Sequence, residues 1–245
     1  MTKDTKDTKY SPAVDFLAAQ HRHRAAVREA FKTEAGDFLL AHEFVLSGIT
    51  SCLERFGGKK WPADLDEAIR LKIEQTSQLS ALFLHGIDPC EVAISEGLYG
   101  QAATLIRQQM EILGAIDEVW LNKRNPRSTP KVSSLPEDIR QHYGGLSELA
   151  HAAVPDYLKS MHTDVKGDLV GAAIVPTFNK DIALFLYRIE LGLLFLFAQR
   201  QEDALKAAYE EEAFIDSELK LFGAAMSAAN KAAKKIGDLP NADPA

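Results

Sequence analysis

IALFLYRIELGLLFLFA, residues 182 to 198, is the stretch whose reading decides the fold. Its 17 residues reach the lower limit for crossing a bilayer. Arg188 and Glu190 stand in its middle, where a bilayer would charge heavily for each. A helix that is apolar on every side is also what sits at the centre of a water-soluble bundle. The two charges favour the second reading. The chain is therefore expected to fold around this helix, with no membrane partner and a cytoplasmic location.

The pattern outside this stretch is helical almost throughout. Ala, Leu, Glu, Lys, Gln and Arg dominate, and they are strong helix formers. No alternating run of β-branched residues is long enough for a sheet. The first helical region runs from about Pro12 to Phe56, with Ser11 as its cap and Gly36 as the point where it would divide. Gly57-Gly58 ends it. A second helix is expected from about Ala63 to His85, stopped by Gly86, Asp88 and Pro89. A long helix follows from about Pro89 to Asn122. On it, Gly100, Ala103 and Gly114 share a face that would let another helix approach closely.

Residues 123 to 135 read as a Pro/Ser/Lys-rich loop with a basic start, Lys123-Arg124-Asn125-Pro126-Arg127. Ser134-Leu-Pro-Glu137 has capping-box spacing, so a helix should begin near Pro136 and run towards His151, bent at Gly144-Gly145. The final helices span about 179–208 and 210–236. The fold expected is an all-α helical bundle of about six to eight helices, with room for a short hairpin near residues 164–175. It forms one domain over 11–236, between disordered tails at 1–10 and 237–245. The first tail repeats Thr-Lys-Asp and has no apolar stretch, so no signal peptide is expected.

The chain's 245 residues carry 35 acidic and 28 basic side chains, a net charge of −7. That balance suits solubility and argues against broad nucleic-acid binding, and with no recognition-helix signature no sequence-specific DNA binding is expected. Cys52 and Cys90 stand apart from each other and from any Cys/His cluster, so they read as buried, reduced thiols. His42 and His85 read as core or boundary histidines with hydrogen-bond partners. The phosphate-binding, nucleophile-elbow, zinc-protease and kinase motifs are all missing. No cofactor is expected.

One polar constellation stands out. Arg107-x-x-x-Glu111 lies on the long helix, and Glu148-x-x-His151 on the next, with Tyr143 two turns before His151. Each pair occupies one face of its helix. Packed together, they would bring an Arg, two carboxylates, a His and a Tyr to one point between helices. Three roles suit them. They can form an ion-paired lock within a binding or interaction module. They can serve a hydrolase or nuclease-like enzyme, with His151 as acid/base, Glu148 or Glu111 orienting it, and Arg107 holding an anion. Or Glu111, Glu148 and His151 can hold a metal. A ferritin-like di-iron centre is not expected, because only His151 has a Glu three residues before it.

The order of these motifs, Glu96-Gly97-Leu98-Tyr99-x-Gln101-Ala102 with Leu105-Ile106-Arg107-x-x-x-Glu111, then Tyr143-x-x-Leu146-Ser147-Glu148-x-x-His151, resembles a group of bacterial helical proteins. Some are linked to phage defence or lie near the HEPN helical class. The resemblance covers roughly residues 92 to 152. It implies an all-α fold, a defence or stress setting, and Arg107, Glu111, Glu148 and His151 as the polar residues of interest. This sequence departs from HEPN nucleases, since no Arg is followed by a His four to six residues later. The reading that results is a binding or interaction module, homodimeric, with a small anionic ligand as a candidate partner.

Overall fold

The computed structural model describes residues 11–151, 163–166 and 169–236. The two expected tails, 1–10 and 237–245, lie outside the described residues. The fold is all-α. Among the described residues, six helices have eight residues or more and one is a single turn.

Helix α1, Pro12–Phe56, is continuous and about 67 Å long at the usual rise per residue. The Ser11 side chain accepts from the Ala13 amide at 3.3 Å. Gly36 does not divide it. A glycine costs a helix about 1 kcal/mol, less than the burial of neighbouring Phe31 and Phe38 contributes. Helix α2, Glu67–Ser95, opens on Asp66, whose carboxylate accepts from Ala68 and Ile69.

The expected break at Gly86–Pro89 is absent: α2 runs through Pro89. Pro89 is exposed, so the carbonyl it leaves unbonded faces water rather than the core. The chain turns instead at Gly97, in the left-handed conformation with φ +76°. A Cβ there would stand 2.9 Å from the Thr177 carbonyl oxygen. Helix α3, Tyr99–Trp120, follows. The buried Tyr99 hydroxyl donates to the Asn179 carbonyl at 3.2 Å and accepts from the Asn179 amide at 2.9 Å, tying the start of α3 to the start of the central helix.

The expected helix from Pro136 to His151 is two pieces, α4 at Glu137–Arg140 and α5 at Tyr143–Ala150. They part at Gln141-His142, not at the glycines. Pro136 is the N-cap and no side chain caps it, so the capping box does not form. Ile139 of α4 enters a notch at Gly192, where a Cβ would lie 2.8 Å from its Cδ1. The hairpin is present: β1, Thr163–Lys166, pairs antiparallel with β2, Leu169–Ala172, in the register Thr163↔Ala172.

Helix α6, Lys180–Tyr209, carries the deciding stretch and begins on Asn179, whose side chain accepts from the Ile182 amide at 3.1 Å. It packs against α1, α2 and α3. Leu186, Leu193, Leu194 and Phe197 on it are fully enclosed. Phe197 stacks flat on Phe83 of α2, with ring centroids 4.4 Å apart. Helix α7, Asp216–Ile236, runs antiparallel along α1. Glu218 pairs with Arg55 near one end and Lys231 with Asp37 near the other. No helix among the described residues is long and apolar enough to cross a membrane.

Candidate functional site

Helix α3 presents Arg107 and Glu111 one turn apart, and α5 lies across them. The anchor of α5 is Leu146, 1% exposed. With Leu146 inside, Tyr143 on the preceding turn and His151 at the C-terminal cap reach the same side of α3.

Four of the five expected residues meet. Arg107 Nε donates to Glu111 Oε1 at 3.0 Å and to the Tyr143 hydroxyl at 3.2 Å. The Tyr143 hydroxyl in turn donates to Glu111 Oε1 at 2.6 Å. Arg107 Nη1 lies 3.0 Å from His151 Nε2. The guanidinium carbon stands 5.5 Å from the Tyr143 ring centroid, within cation–π range. Burial, reinforced by the bond to Glu111, raises the Tyr143 phenol above its ordinary value against the opposing pull of Arg107. It is therefore a hydroxyl donor at neutral pH. The bond to Tyr143, reinforced by the one to Glu111, leaves Arg107 more firmly charged than usual against the opposing pull of burial.

Glu148 does not join them. It is exposed on α5 and has no hydrogen-bond or ion-pair partner among the described residues. Its three-residue spacing from His151 would serve on a continuing helix, but α5 ends at Ala150. The carboxylate expected to orient His151 is thus turned away, and Glu111 is occupied by Arg107 and Tyr143. Among the described residues, no three His, Cys, Asp or Glu side chains are grouped to hold a metal ion.

The small-residue face of α3 has a different use from the one expected. Nothing among the described residues approaches Gly100, and Gly114 receives backbone rather than a helix. A Cβ there would stand 2.5 Å from the Lys131 carbonyl oxygen. The basic loop is drawn back onto α3. Arg124 bonds Glu118 and the carbonyls of Asn125 and Ser128, and the Lys131 amide donates to Glu118 at 2.9 Å.

A second polar set was not legible as a cluster. His42 of α1, Cys90 and Glu91 of α2, and Tyr187 and Glu190 of α6 share the interior. His42 is buried as expected, yet its Nε2 has no partner among the described residues, and burial lowers it to about 4. His85 is exposed rather than at the core. The signal that was available is Glu190 inside an apolar run. Both cysteines are free and buried, and burial pushes Cys52 up to about 11.

Fold and site together define an all-α bundle protein with an ion-paired cluster at the edge of two helices. No protein-family model, curated protein or solved structure matches the chain.

Proposed function

We propose that this chain is a non-catalytic binding or interaction module that receives a small anionic group at Arg107. The observation that carries the reading is how the Arg107 donors are spent. Nε is fixed by Glu111 and Tyr143, and Nη1 by His151, while Nη2 has no partner among the described residues. The side chain is 26% exposed, so this fixed guanidinium is within reach of solvent. A guanidinium fixed this way suits a carboxylate or phosphate.

The enzyme reading needs more from His151 than the cluster offers. Its Nε2 is engaged by Arg107, and no carboxylate among the described residues orients the ring. The test is titration calorimetry with inorganic phosphate and with acetate on the wild type and on Arg107→Gln. Binding that weakens about tenfold or more in the variant and falls with salt supports the reading. No binding, or equal binding in both, overturns it. Ester or phosphodiester hydrolysis lost in a folded His151→Ala would put the enzyme reading in its place.

We also propose a cytoplasmic homodimer. Its support is the start of α1, where residues 11–26 include no buried side chain and Val14, Phe16 and Leu17 are about half exposed. Light scattering tests it, and a monomer mass rejects it. The defence setting follows from the motif resemblance. Phage plating on a bacterial host expressing the chain tests that setting, with unchanged plating as the adverse result.

A further inference from the structure

The central helix carries a carboxyl group where a core has no use for charge. Glu190 is 1% exposed, and neither of its oxygens has a hydrogen-bond partner among the described residues. Three helices supply its surroundings. From α1 comes His42, with Nε2 unpartnered. From α2 come Cys90, whose thiol lies against the Glu190 carboxyl, and Glu91, whose Oε2 is 3.8 Å from His42 Nδ1. Asp88 on the same helix acts on Glu91. One turn before Glu190 on α6, Tyr187 is fully buried with its hydroxyl unpartnered and its ring centroid 5.5 Å from that of His42. Helix α3 contributes no charged neighbour; its buried polar side chain is Gln109. Helix α4 meets α6 through apolar Ile139 at Gly192.

No cation faces Glu190 in this arrangement, since burial holds His42 neutral at physiological pH. An ionised carboxylate here would be out of water, with only the weak Cys90 thiol as a nearby donor and beside a second carboxyl. Such a group is stable in a core only as the neutral acid. We propose that Glu190 is a proton switch at the centre of the bundle. Protonated, it is an uncharged core side chain. Loss of its proton to solvent hydroxide, with water as the product, drives α6 out of its packing against α1 and α2.

Direction and geometry agree. Burial first, then the nearby Glu91, pushes Glu190 well above the carboxylate range. Burial likewise raises Cys90, Glu91 and Tyr187, and as acids none of them becomes a compensating cation as pH climbs. The switch is therefore closed at low and neutral pH and opens on the alkaline side.

The test uses the full chain and two readouts. Infrared spectroscopy should show a protonated-carboxyl band at pH 7 that shifts in D2O and is missing in Glu190→Gln. Hydrogen exchange, corrected for its intrinsic pH dependence, should accelerate at α6 amides by about tenfold per pH unit once that band bleaches. The acceleration should be absent in Glu190→Gln. Where the Gln variant does not fold, Glu190→Asp keeps the acid and displaces the band, which assigns it. A wild type without the band at pH 7 overturns the proposal. So does α6 exchange that ignores the bleaching, or that rises equally in Glu190→Gln.

Discussion

Arg107 Nη1 and His151 Nε2 stand 3.0 Å apart, so the residue that ends α5 meets the middle of α3. An arginine has donors and no acceptor, so a hydrogen bond between the two uses the Nε2 lone pair of the tautomer protonated at Nδ1. In that tautomer the ring accepts from the guanidinium. It joins Glu111 and Tyr143 in a closed cluster between α3 and α5.

Tyr143→Phe should loosen that cluster while leaving the ring packing intact. The hydroxyl bonds both Glu111 and Arg107, and a bond to a charged partner contributes about 1.5–3 kcal/mol. Partial exposure of the site places the expected loss at the lower end, about 1–2 kcal/mol. Urea unfolding measures it. An unchanged midpoint would show that the hydroxyl contributes nothing to holding α5.

Three glycines should respond to alanine in opposite ways. Gly36 has open space around it on a continuous helix, so Gly36→Ala should stabilise by roughly 0.5–1 kcal/mol. Gly114→Ala drives a methyl into the Lys131 carbonyl, and Gly97→Ala adds a left-handed backbone to a clash with Thr177. Each should lose about 1–3 kcal/mol. Thermal melts of the three variants decide the matter, and a destabilised Gly36→Ala would contradict the described course of α1.

Glu218 should be costly to remove. It is 1% exposed and accepts from Arg55, Ser51 and the Ile215 amide. Glu218→Ala leaves Arg55 without its counter-charge. Loss of one partner of a buried pair costs about 3–5 kcal/mol, and the 31% exposure of Arg55 reduces that to about 2–3 kcal/mol. Chemical denaturation checks the figure. A loss below about 1 kcal/mol would mean α7 is held by its apolar face alone.

His42 should shape the acid limb of stability. Its folded value is lowered by burial to about 4, below the ordinary 6.5 of the unfolded chain. Between those values the unfolded state binds the extra proton, so stability falls as pH drops from about 6.5 towards 4 and is fully present above. The integrated effect is roughly 3 kcal/mol. Glu190 acts in the opposite sense over part of this range, because its raised value costs stability as pH rises above 4.5. The comparison is therefore wild type against His42→Leu across pH 4–7. The variant should lose the His42 contribution, and equal slopes would refute it.

Much of the architecture is legible in the chain because local rules act on neighbouring residues. Ser11 and Asn179 each mark a helix start, and Gly57 a helix end. The ionisable side chains at 188 and 190 turn a bilayer-length run into a core helix. The same rules misplace the α2–α3 break. Pro89 is the stronger local stop signal, but the cost of a helical proline depends on whether its freed carbonyl meets water, which Pro89's exposure decides. Gly97 looks ordinary until the Thr177 carbonyl is brought against it.

The candidate site divides the same way. Spacing alone puts Arg107 with Glu111 and Tyr143 with Leu146, because helix period is a property of the local chain. Which face of α5 meets α3 is settled by the burial of Leu146, and that choice admits Tyr143 and His151 and excludes Glu148. The interior cluster of His42, Glu91, Tyr187 and Glu190 comes from residues up to 148 positions apart. The sequence by itself determined an all-α fold around residues 182–198 and the helical register of its polar pairs. Tertiary structure alone decided which pairs meet and which carboxyl is left without water, since burial and partnership arise only when distant helices pack.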